Sequence, residues 1–449
     1  MKRLSKIATG VVFLAALLDS TGALAADKNV LEEIEVLKRR LSELESEQKE
    51  SDEKTETLAE EVERSKLSKV LPERKELKSE FGLGPAASGV YQLKQGLSLG
   101  GYGEATYRNF VSDANGKKDQ ADMLRLVGYA GYKFNDWLVF NSEVEVEHGT
   151  TSGIGDSSGD KEGEVSVEFA YLDFLLDEAF NLRTGMVLIP MGFLNEIHEP
   201  PFFHGVRRAE LEQSIIPSTW REMGAGAFGT IGSELDYRTY VVNGLRASRF
   251  SDSGVRDGRQ KGNQALAEDF AWTGRLDYRP AALAGFMVGG SAWLGHSGQD
   301  EEFAGETPDV FTSIWEAHAQ YRYRQLELRG IFAQSDIDDV DVLSLEVDKA
   351  IAGKQRGWYV EAAYDVLPHI VEGTTQYLAP FVRFEDLGLQ EDVAEGFAKN
   401  KSLDRQLVAV GLSYKPVTNA VIKLDYRNFS SEGDKDPADE LALGVGYAF

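Results

Sequence analysis

An alternation of apolar and polar residues is the feature that most constrains what this chain can fold into. From Leu97 onward it recurs in segments of roughly ten residues, and we count about sixteen of them. A period of two sends successive side chains to opposite faces of a β-strand, so each segment predicts a strand with one apolar face. In the last segment, ELALGVGYAF, the apolar face consists of Leu441, Leu443, Val445, Tyr447 and Phe449.

The composition of the two faces predicts what surrounds the strands. Aromatic residues sit near the strand ends on the apolar face, whereas the other face carries charges on nearly every strand. A soluble β-sandwich would bury its aliphatic face, and a packed core does not hold so many charges. Short turns, such as Asn135-Asp136, alternate with long polar loops. We therefore predict an all-β transmembrane barrel of about sixteen antiparallel strands, closed around an aqueous channel.

The residues before the barrel divide into three parts. A charged start, an apolar run and the small residues ALAA predict a secretory signal peptide at 1–25; the run is too short for a transmembrane helix. Residues 26–71 carry a heptad seam, which favours a short α-helical coiled coil as a periplasmic stem over a solitary surface helix. The break at Pro72 makes 72–95 a linker and 96–449 the barrel.

Charge and cysteine content exclude several partners and anchors. The net charge of −26 argues against binding of nucleic acid, whose phosphates require a basic surface. The chain has no cysteine, so we expect neither a lipid anchor nor a disulfide framework.

The third long connection, Pro190 to Gly224, is too apolar and too rich in proline for an external loop, so we expect it to fold inward and narrow the channel. The candidate constriction residues, including the acidic residues of the wall, are His198, His204, Arg207, Arg208, Arg221, Glu143, Glu145 and Glu147. An alternative is that Arg207 and Arg208 only pin the loop to these wall glutamates.

Elsewhere, the residues expected to face the lumen include Arg125, Arg275, Glu316, Arg322, Arg329 and Arg383. The fourth loop is expected to be basic through Arg246, Arg249, Arg256, Arg259 and Lys261.

Three stretches carry a family resemblance: GGYGEATYRNF, EVEVEHG and the long loop LIPMGFLNEIHEPPFFHGVRRAELEQSIIPSTWREMGAG. Over about residues 97–449 the chain resembles the phosphate-selective porin O and P family. The resemblance implies a sixteen-stranded porin, usually trimeric, that passes small anions. Phosphate selectivity in that family rests on a one-sided ladder of arginines with a lysine cluster, whereas the charges here are mixed. The stem is similar to that of dicarboxylate-type porins.

These observations together predict an outer-membrane porin through which small hydrophilic solutes and ions diffuse passively, with a weak preference for anions such as phosphate or carboxylates. Its expected partners are outer-membrane lipid, lipopolysaccharide, further copies of the chain in a homotrimer, and small anionic or neutral solutes. The alternative is a mainly structural protein whose stem links the outer membrane to the cell wall. No enzymatic activity, cofactor or metal is expected, because no nucleophile is marked and His198, Glu199 and His204 lack the HExxH spacing.

Overall fold

A computed structural model describes residues 35–46, 48–49, 54, 78–149, 163–433 and 436–449. The chain divides into two compact units, Met1–Lys69 and Val70–Phe449. None of the helices among the described residues combines the length and the apolar character that a membrane crossing requires. The predicted signal peptide at 1–25 lies outside the described residues.

The second unit is a closed antiparallel barrel in which each strand pairs with its neighbours in sequence and β16 pairs with β1. The strands are β1 (Gly96–Phe110), β2 (Gln120–Lys133), β3 (Leu138–Glu147), β4 (Val165–Leu175), β5 (Asn181–Leu188), β6 (Arg221–Ile231), β7 (Leu235–Asn243), β8 (Phe270–Tyr278), β9 (Phe286–His296), β10 (Phe311–Tyr323), β11 (Leu326–Ile337), β12 (Ala352–Tyr364), β13 (Tyr377–Val393), β14 (Asp404–Val417), β15 (Ala420–Ser431) and β16 (Glu440–Ala448). The predicted fold class is confirmed.

Short helices occur before β1 and in the loops of the barrel. Besides α1, the helix at 35–46 in the first unit, the described residues include α2 (Leu211–Ser214) and α3 (Val340–Val347). The 3₁₀ turns are Ala87–Gln92, Val111–Gly116, Pro200–Phe202, Ala247–Arg249, Arg256–Gly258, Leu367–His369 and Lys401–Leu403.

Closure depends on the pairing of the first and last strands. Tyr107 on β1 lies opposite Leu443 on β16, and the register continues without a shift from Tyr102↔Ala448 to Phe110↔Glu440. Because every strand then has two neighbours, no edge is left with unpaired backbone N–H and C=O groups. The connections alternate as predicted, from two residues at 324–325 to 32 residues at 189–220.

The outer face of the barrel is an exposed apolar belt. Leu443 and Trp272 are each 45% exposed and Trp315 is 40% exposed, whereas the inward-facing Arg125 and Glu145 are buried. An apolar surface of this extent is unfavourable in water and requires a non-aqueous surrounding. Alternation along most of each strand produces this separation, since one register step would turn every side chain to the other face.

The first unit contains a helix at 35–46, α1, which lies within the predicted stem. Leu37, Leu41 and Leu44 of the predicted seam are exposed on it, at 64%, 51% and 60%. The later seam positions, Leu58 and Val62, lie outside the described residues.

The segment directly before β1 differs from the predicted linker. Residues 78–95, here called the leading segment, pack against the inner wall of the barrel. The Asn141 side chain on β3 donates to the Ala87 carbonyl at 2.9 Å, and the Tyr91 hydroxyl donates to Asp173 on β4 at 2.6 Å. Burial of its apolar residues, among them Leu83 and Val90, explains why this stretch folds inward.

The two faces of β10 provide a test of the register. Ala317 is exposed on the outer face, and Gln320 faces a cavity inside the barrel. We expect Ala317→Arg to lower the free energy of unfolding by about 2–4 kcal/mol in phospholipid vesicles, because the guanidinium would enter hydrocarbon. Gln320→Arg, the matched control, should cost much less. Urea titrations of both variants measure this difference, and an equal loss in the two would contradict the assigned register.

Candidate functional site: the filled lumen

The connection between β5 and β6, residues 189–220, crosses the interior of the barrel; we call it the lumen loop. Its Leu211 backbone N–H donates to Glu385 on β13 at 3.1 Å, and its Val206 N–H donates to Asp425 on β15 at 2.6 Å. Strand β13 is eight positions from β5 in the ring of sixteen, so it lies on the far side. The loop therefore spans the lumen from wall to wall.

Apolar packing holds the lumen loop in place. Ile189, Met191 and Leu211 are fully buried within one continuous cluster that also contains residues of the wall. Trp220 packs against Trp293 of β9, with ring centroids 5.6 Å apart. Each such side chain contributes roughly 1.5–3 kcal/mol by leaving water, which explains why a stretch this apolar does not extend into solvent.

Charged contacts attach the lumen loop to the wall at several points. Burial alone would raise the pKa of Glu210, but the guanidinium groups of Arg427, Arg207 and Arg405 hold it well below its usual range. The Arg427 guanidinium, on β15, donates to Glu210 at 2.7 Å. Burial and the nearby charge of Arg208 lower the pKa of His198 to about 4, so this imidazole is neutral at pH 7.

The leading segment meets the lumen loop inside the barrel. The backbone N–H groups of Ala86 and Ala87 both donate to Glu199 of the loop, at 3.0 and 3.2 Å. Phe81 packs edge-on against Phe228 of β6 at 5.2 Å. Two separate chain segments thus occupy the interior together and leave less room than the wall alone would enclose.

In the fourth loop, 244–269, two of the predicted basic residues, Arg256 and Arg259, are engaged by the lumen loop, whereas Arg246 pairs with Glu301. Arg256 donates to the Gln213 carbonyl at 2.7 Å, and Arg259 donates to the Pro217 carbonyl at 3.1 Å. Burial, with the charge of Arg256, lowers the pKa of Arg259 to about 9. These guanidinium groups hold backbone carbonyls, so they are not presented freely to solutes.

Two of the cavities among the described residues lie at the short-turn end of the barrel. One of about 860 Å³ is lined by five arginines and three acidic residues: Arg238, Arg275, Arg279, Arg322, Arg329, Glu196, Asp236 and Asp277. The other, of about 330 Å³, is lined by His204, Arg322, Arg329, Lys415 and Glu327 among others. Arg322 and Arg329 line both, and cationic side chains outnumber acidic ones in each. We refer to the two cavities together as the basic vestibule.

The predicted constriction residues are distributed over several parts of the lumen. On the wall, Arg125 lies between Glu104, Glu145 and Glu147, at 3.5, 3.4 and 3.7 Å. Of the loop histidines, His198 reaches Glu143 on β3 at 3.2 Å. His204 instead contacts Glu361 on β12 at 3.1 Å and Tyr377 on β13 at 2.9 Å. The two histidines therefore belong to different sites.

The arginines predicted for the constriction do not converge on one point. Arg207 pairs with Glu440 on β16 at 3.6 Å, so the alternative in which the loop is pinned to Glu143, Glu145 or Glu147 does not apply to this residue. Arg221 is the first residue of β6 and lies outside the loop, where it pairs with Glu168 at 2.9 Å. Arg208 is buried, and its Nη2 atom makes no hydrogen bond within the described part of the chain. These arginines lie apart because Arg207 and Arg221 pair with different strands of the wall, and the loop sequence alone does not indicate these partners.

The other residues expected in the lumen lie on the inward parity of their strands and form ion-pair networks. Arg329 and Arg383 share Glu361, at 3.2 and 3.1 Å, and Arg322 pairs with Glu327 at 3.2 Å. A second network on β8 and β10 links Arg275, Asp277, His318 and Glu316.

Sequence analysis missed several residues that the structure brings into these networks. Asp277 and His318 approach within 3.0 Å, and Asp277 also pairs with Arg238 at 2.8 Å. The inward parity of both positions was visible in the sequence, but their mutual contact depends on strand register. The position of Glu168 depends on a bulge that alternation does not reveal.

Comparison with known proteins identifies a relative. A protein from Aquifex aeolicus (strain VF5) described as "Uncharacterized protein" is 37% identical over 384 residues, which covers 83% of this chain and 84% of the relative. The chain therefore belongs to the same protein family as this Aquifex protein. No family model matches the sequence.

Among solved structures, the outer membrane channel DcaP of Acinetobacter baumannii is similar, with 13% identity, a TM-score of 0.50, and coverage of 79% of this chain and 97% of that one. The loop-deletion mutant OmpTdeltaL8 of Vibrio cholerae is 13% identical, with a TM-score of 0.48 and coverage of 80% of this chain and 100% of that one. The anion-selective porin from Comamonas acidovorans is 11% identical, with a TM-score of 0.45 and coverage of 79% of this chain and 100% of that one. The likeness to DcaP is one of fold: the chain has a barrel of the outer-membrane porin type.

The leading segment offers a test of how the lumen is filled. We expect deletion of 79–93 to raise single-channel conductance about two-fold or more, because a sixteen-stranded wall alone encloses a wide aqueous bore. Deletion of α1, 35–46, is the matched control and should leave conductance unchanged. Both variants are first checked for heat-modifiable migration on gels. A folded 79–93 deletion with wild-type conductance would contradict the assignment of this segment as a filling element.

Proposed function

We propose that the protein is an outer-membrane channel through which small hydrophilic solutes diffuse passively. The observation that carries this proposal is the pairing of an exposed apolar outer belt with a charged inner face in one closed barrel. Hydrocarbon accepts only a spanning structure whose backbone groups are all paired, and a closed barrel meets that condition. The likeness of the fold to outer-membrane channels supports the same conclusion.

The filled lumen favours small solutes over large ones. The lumen loop, the leading segment and the fourth loop all contribute buried residues to the interior. A bore narrowed in this way selects by size and by the charges that remain accessible. We therefore propose a narrow channel.

The basic vestibule favours a weak preference for anions. Arg279 and Arg322 retain side-chain exposures of 45% and 51%, although each is paired with an acidic residue. Fixed positive charge between low-dielectric walls raises the local concentration of anions, and guanidinium groups donate paired hydrogen bonds to phosphate or carboxylate oxygens. The neighbouring acids Asp236 and Glu327 reduce the effect. Membership of the phosphate-selective porin O and P family is our hypothesis, based on the resemblance in sequence.

Neutralising the exposed arginines tests this preference. In Arg279→Gln plus Arg322→Gln, we expect the reversal potential in a potassium chloride gradient to shift toward the potassium equilibrium value, because the vestibule loses two positive charges. Planar-bilayer recordings measure the shift. Arg356→Gln is the control: Arg356 is 57% exposed but shares the outward parity of Trp358. A wild-type channel that prefers potassium over chloride would overturn the proposed selectivity.

We further propose that the stem drives trimer formation at the periplasmic side of the outer membrane. The apolar residues Leu37, Leu41 and Leu44 of α1 repeat at the spacing of a coiled-coil seam and are exposed in the single chain.

Replacing all three by serine should convert a trimer into monomers on light scattering after mild detergent extraction. Wild-type protein that is monomeric under the same conditions would refute this assembly.

A further inference from the structure

Three buried side chains from different parts of the chain converge on the inner wall. Glu143 of β3, Glu168 of β4 and His198 of the lumen loop bring ligand-type atoms within 4.8 Å of one another, and all three residues are buried. The His198 Nε2 atom lies 3.2 Å from Glu143 Oε1 and 3.6 Å from Glu168 Oε2. One imidazole nitrogen and two carboxylate groups are ligands that metal ions use in proteins. The other contacts of these three residues indicate whether they bind a metal ion.

The orientation of the imidazole leaves a lone pair directed at the carboxylates. His198 Nδ1 lies 3.0 Å from the Asn195 carbonyl oxygen, which can only accept, so Nδ1 carries the proton. In a neutral imidazole, Nε2 is then an acceptor that faces two further acceptors. A cation between them would turn this repulsion into attraction. A carbonyl that fixes the tautomer of a histidine is also the usual outer partner of a metal-bound imidazole.

Each carboxylate also has an oxygen that accepts no N–H or O–H donor among the described residues, and the Glu145 carboxyl group lies beside that of Glu168. Glu143 Oε2 and Glu168 Oε2 make no hydrogen bond within the described part of the chain, and both side chains are fully buried. A buried carboxylate oxygen that is left unpaired is costly, and native structures rarely tolerate two in one place. The other oxygen of Glu168 accepts from Arg221 Nη1 at 2.9 Å, which fixes the direction of the carboxylate.

The backbone of β4 is bent so that Glu168 points inward. In the pairing of β3 with β4, Glu143 lies opposite Phe169 and Val144 lies opposite Val167, so Glu168 is the extra residue of a β-bulge. Glu168 and Phe169 are consecutive and both are buried, which breaks the alternation of the strand. Bulges re-aim side chains and occur often beside functional sites. This bulge delivers the second carboxylate to the site.

We propose that Glu143, Glu168 and His198 form a binding site for a divalent transition-metal ion, Zn²⁺ in the first instance, which ties the lumen loop to the wall. One imidazole nitrogen with two carboxylate oxygens suits Zn²⁺ or Mn²⁺, whereas Ca²⁺ takes oxygen ligands alone. Zinc–ligand bonds of about 2.0–2.1 Å in a tetrahedron place ligand atoms about 3.3 Å apart. The two distances from His198 Nε2, 3.2 and 3.6 Å, are close to that edge, and all three ligand atoms lie within 4.8 Å of one another. The proposal does not depend on the solute that the channel passes.

The site is tested by metal content and affinity. Full-length protein in detergent, stripped with EDTA and titrated with zinc chloride, should bind one ion per chain, as measured by calorimetry and by mass spectrometry of the dialysed protein. Glu168→Gln and His198→Gln should each weaken binding by at least about 10–100-fold, the loss seen when even an outer partner of a metal ligand is removed. The matched control is His204→Gln, which alters another buried histidine of the lumen loop that also contacts a wall glutamate.

Two outcomes would overturn the proposal. One is wild-type protein that binds less than one-tenth of an equivalent of zinc; the other is equal affinity in wild type, Glu168→Gln and His204→Gln. In case the variants fail to fold, crystals of the wild-type protein soaked in manganese chloride supply an independent readout. An anomalous difference peak between the three side chains is expected, and a peak elsewhere or none at all would refute the site.

Discussion

Hydrogen-bond closure between β1 and β16 is the interaction on which the rest of the structure depends. In hydrocarbon, an unpaired backbone N–H or C=O group costs several kcal/mol, so a sheet that crosses a membrane must have no edge. The uninterrupted register from Tyr102↔Ala448 to Phe110↔Glu440 supplies that closure. Within the closed ring, the pairing register of each strand with its neighbours sets which side chains face outward and which line the lumen.

Closure at sixteen strands creates a second problem, because wall side chains alone cannot fill so wide a bore. The chain fills it with the lumen loop and the leading segment, which contact each other through Glu199 and the backbone of Ala86 and Ala87. Buried ion pairs such as Arg383 with Glu361 add little net stability, since desolvation offsets their attraction. Such pairs do fix the positions of the two side chains, because separating them would leave a buried charge without its partner. The basic vestibule at the short-turn end keeps open space inside the described part of the barrel.

The parts of this architecture that follow a local rule could be predicted from the sequence. Period-two alternation is encoded residue by residue, so the strands, their facing and the short turns were all visible. The apolar character of the loop after β5 also indicated that it folds inward. Contacts between residues distant in sequence were not visible. The pairing of Arg207 with Glu440, the inward packing of Val90 and the bulge at Glu168 each depend on the register of strands far apart in the chain.

The central claim, that the lumen loop lies across the barrel against the wall, can be measured directly because the chain has no cysteine. A Cβ atom built on Gly444 of β16 would lie 3.6 Å from the Val206 Cβ, within the range for a disulfide. Val206→Cys plus Gly444→Cys should therefore oxidise to a cross-link in the folded protein, seen as a mobility shift on non-reducing gels. Val206→Cys plus Leu443→Cys, with the second cysteine on the outer face, should not. Two free, alkylatable thiols at 206 and 444 in a folded barrel would contradict the account.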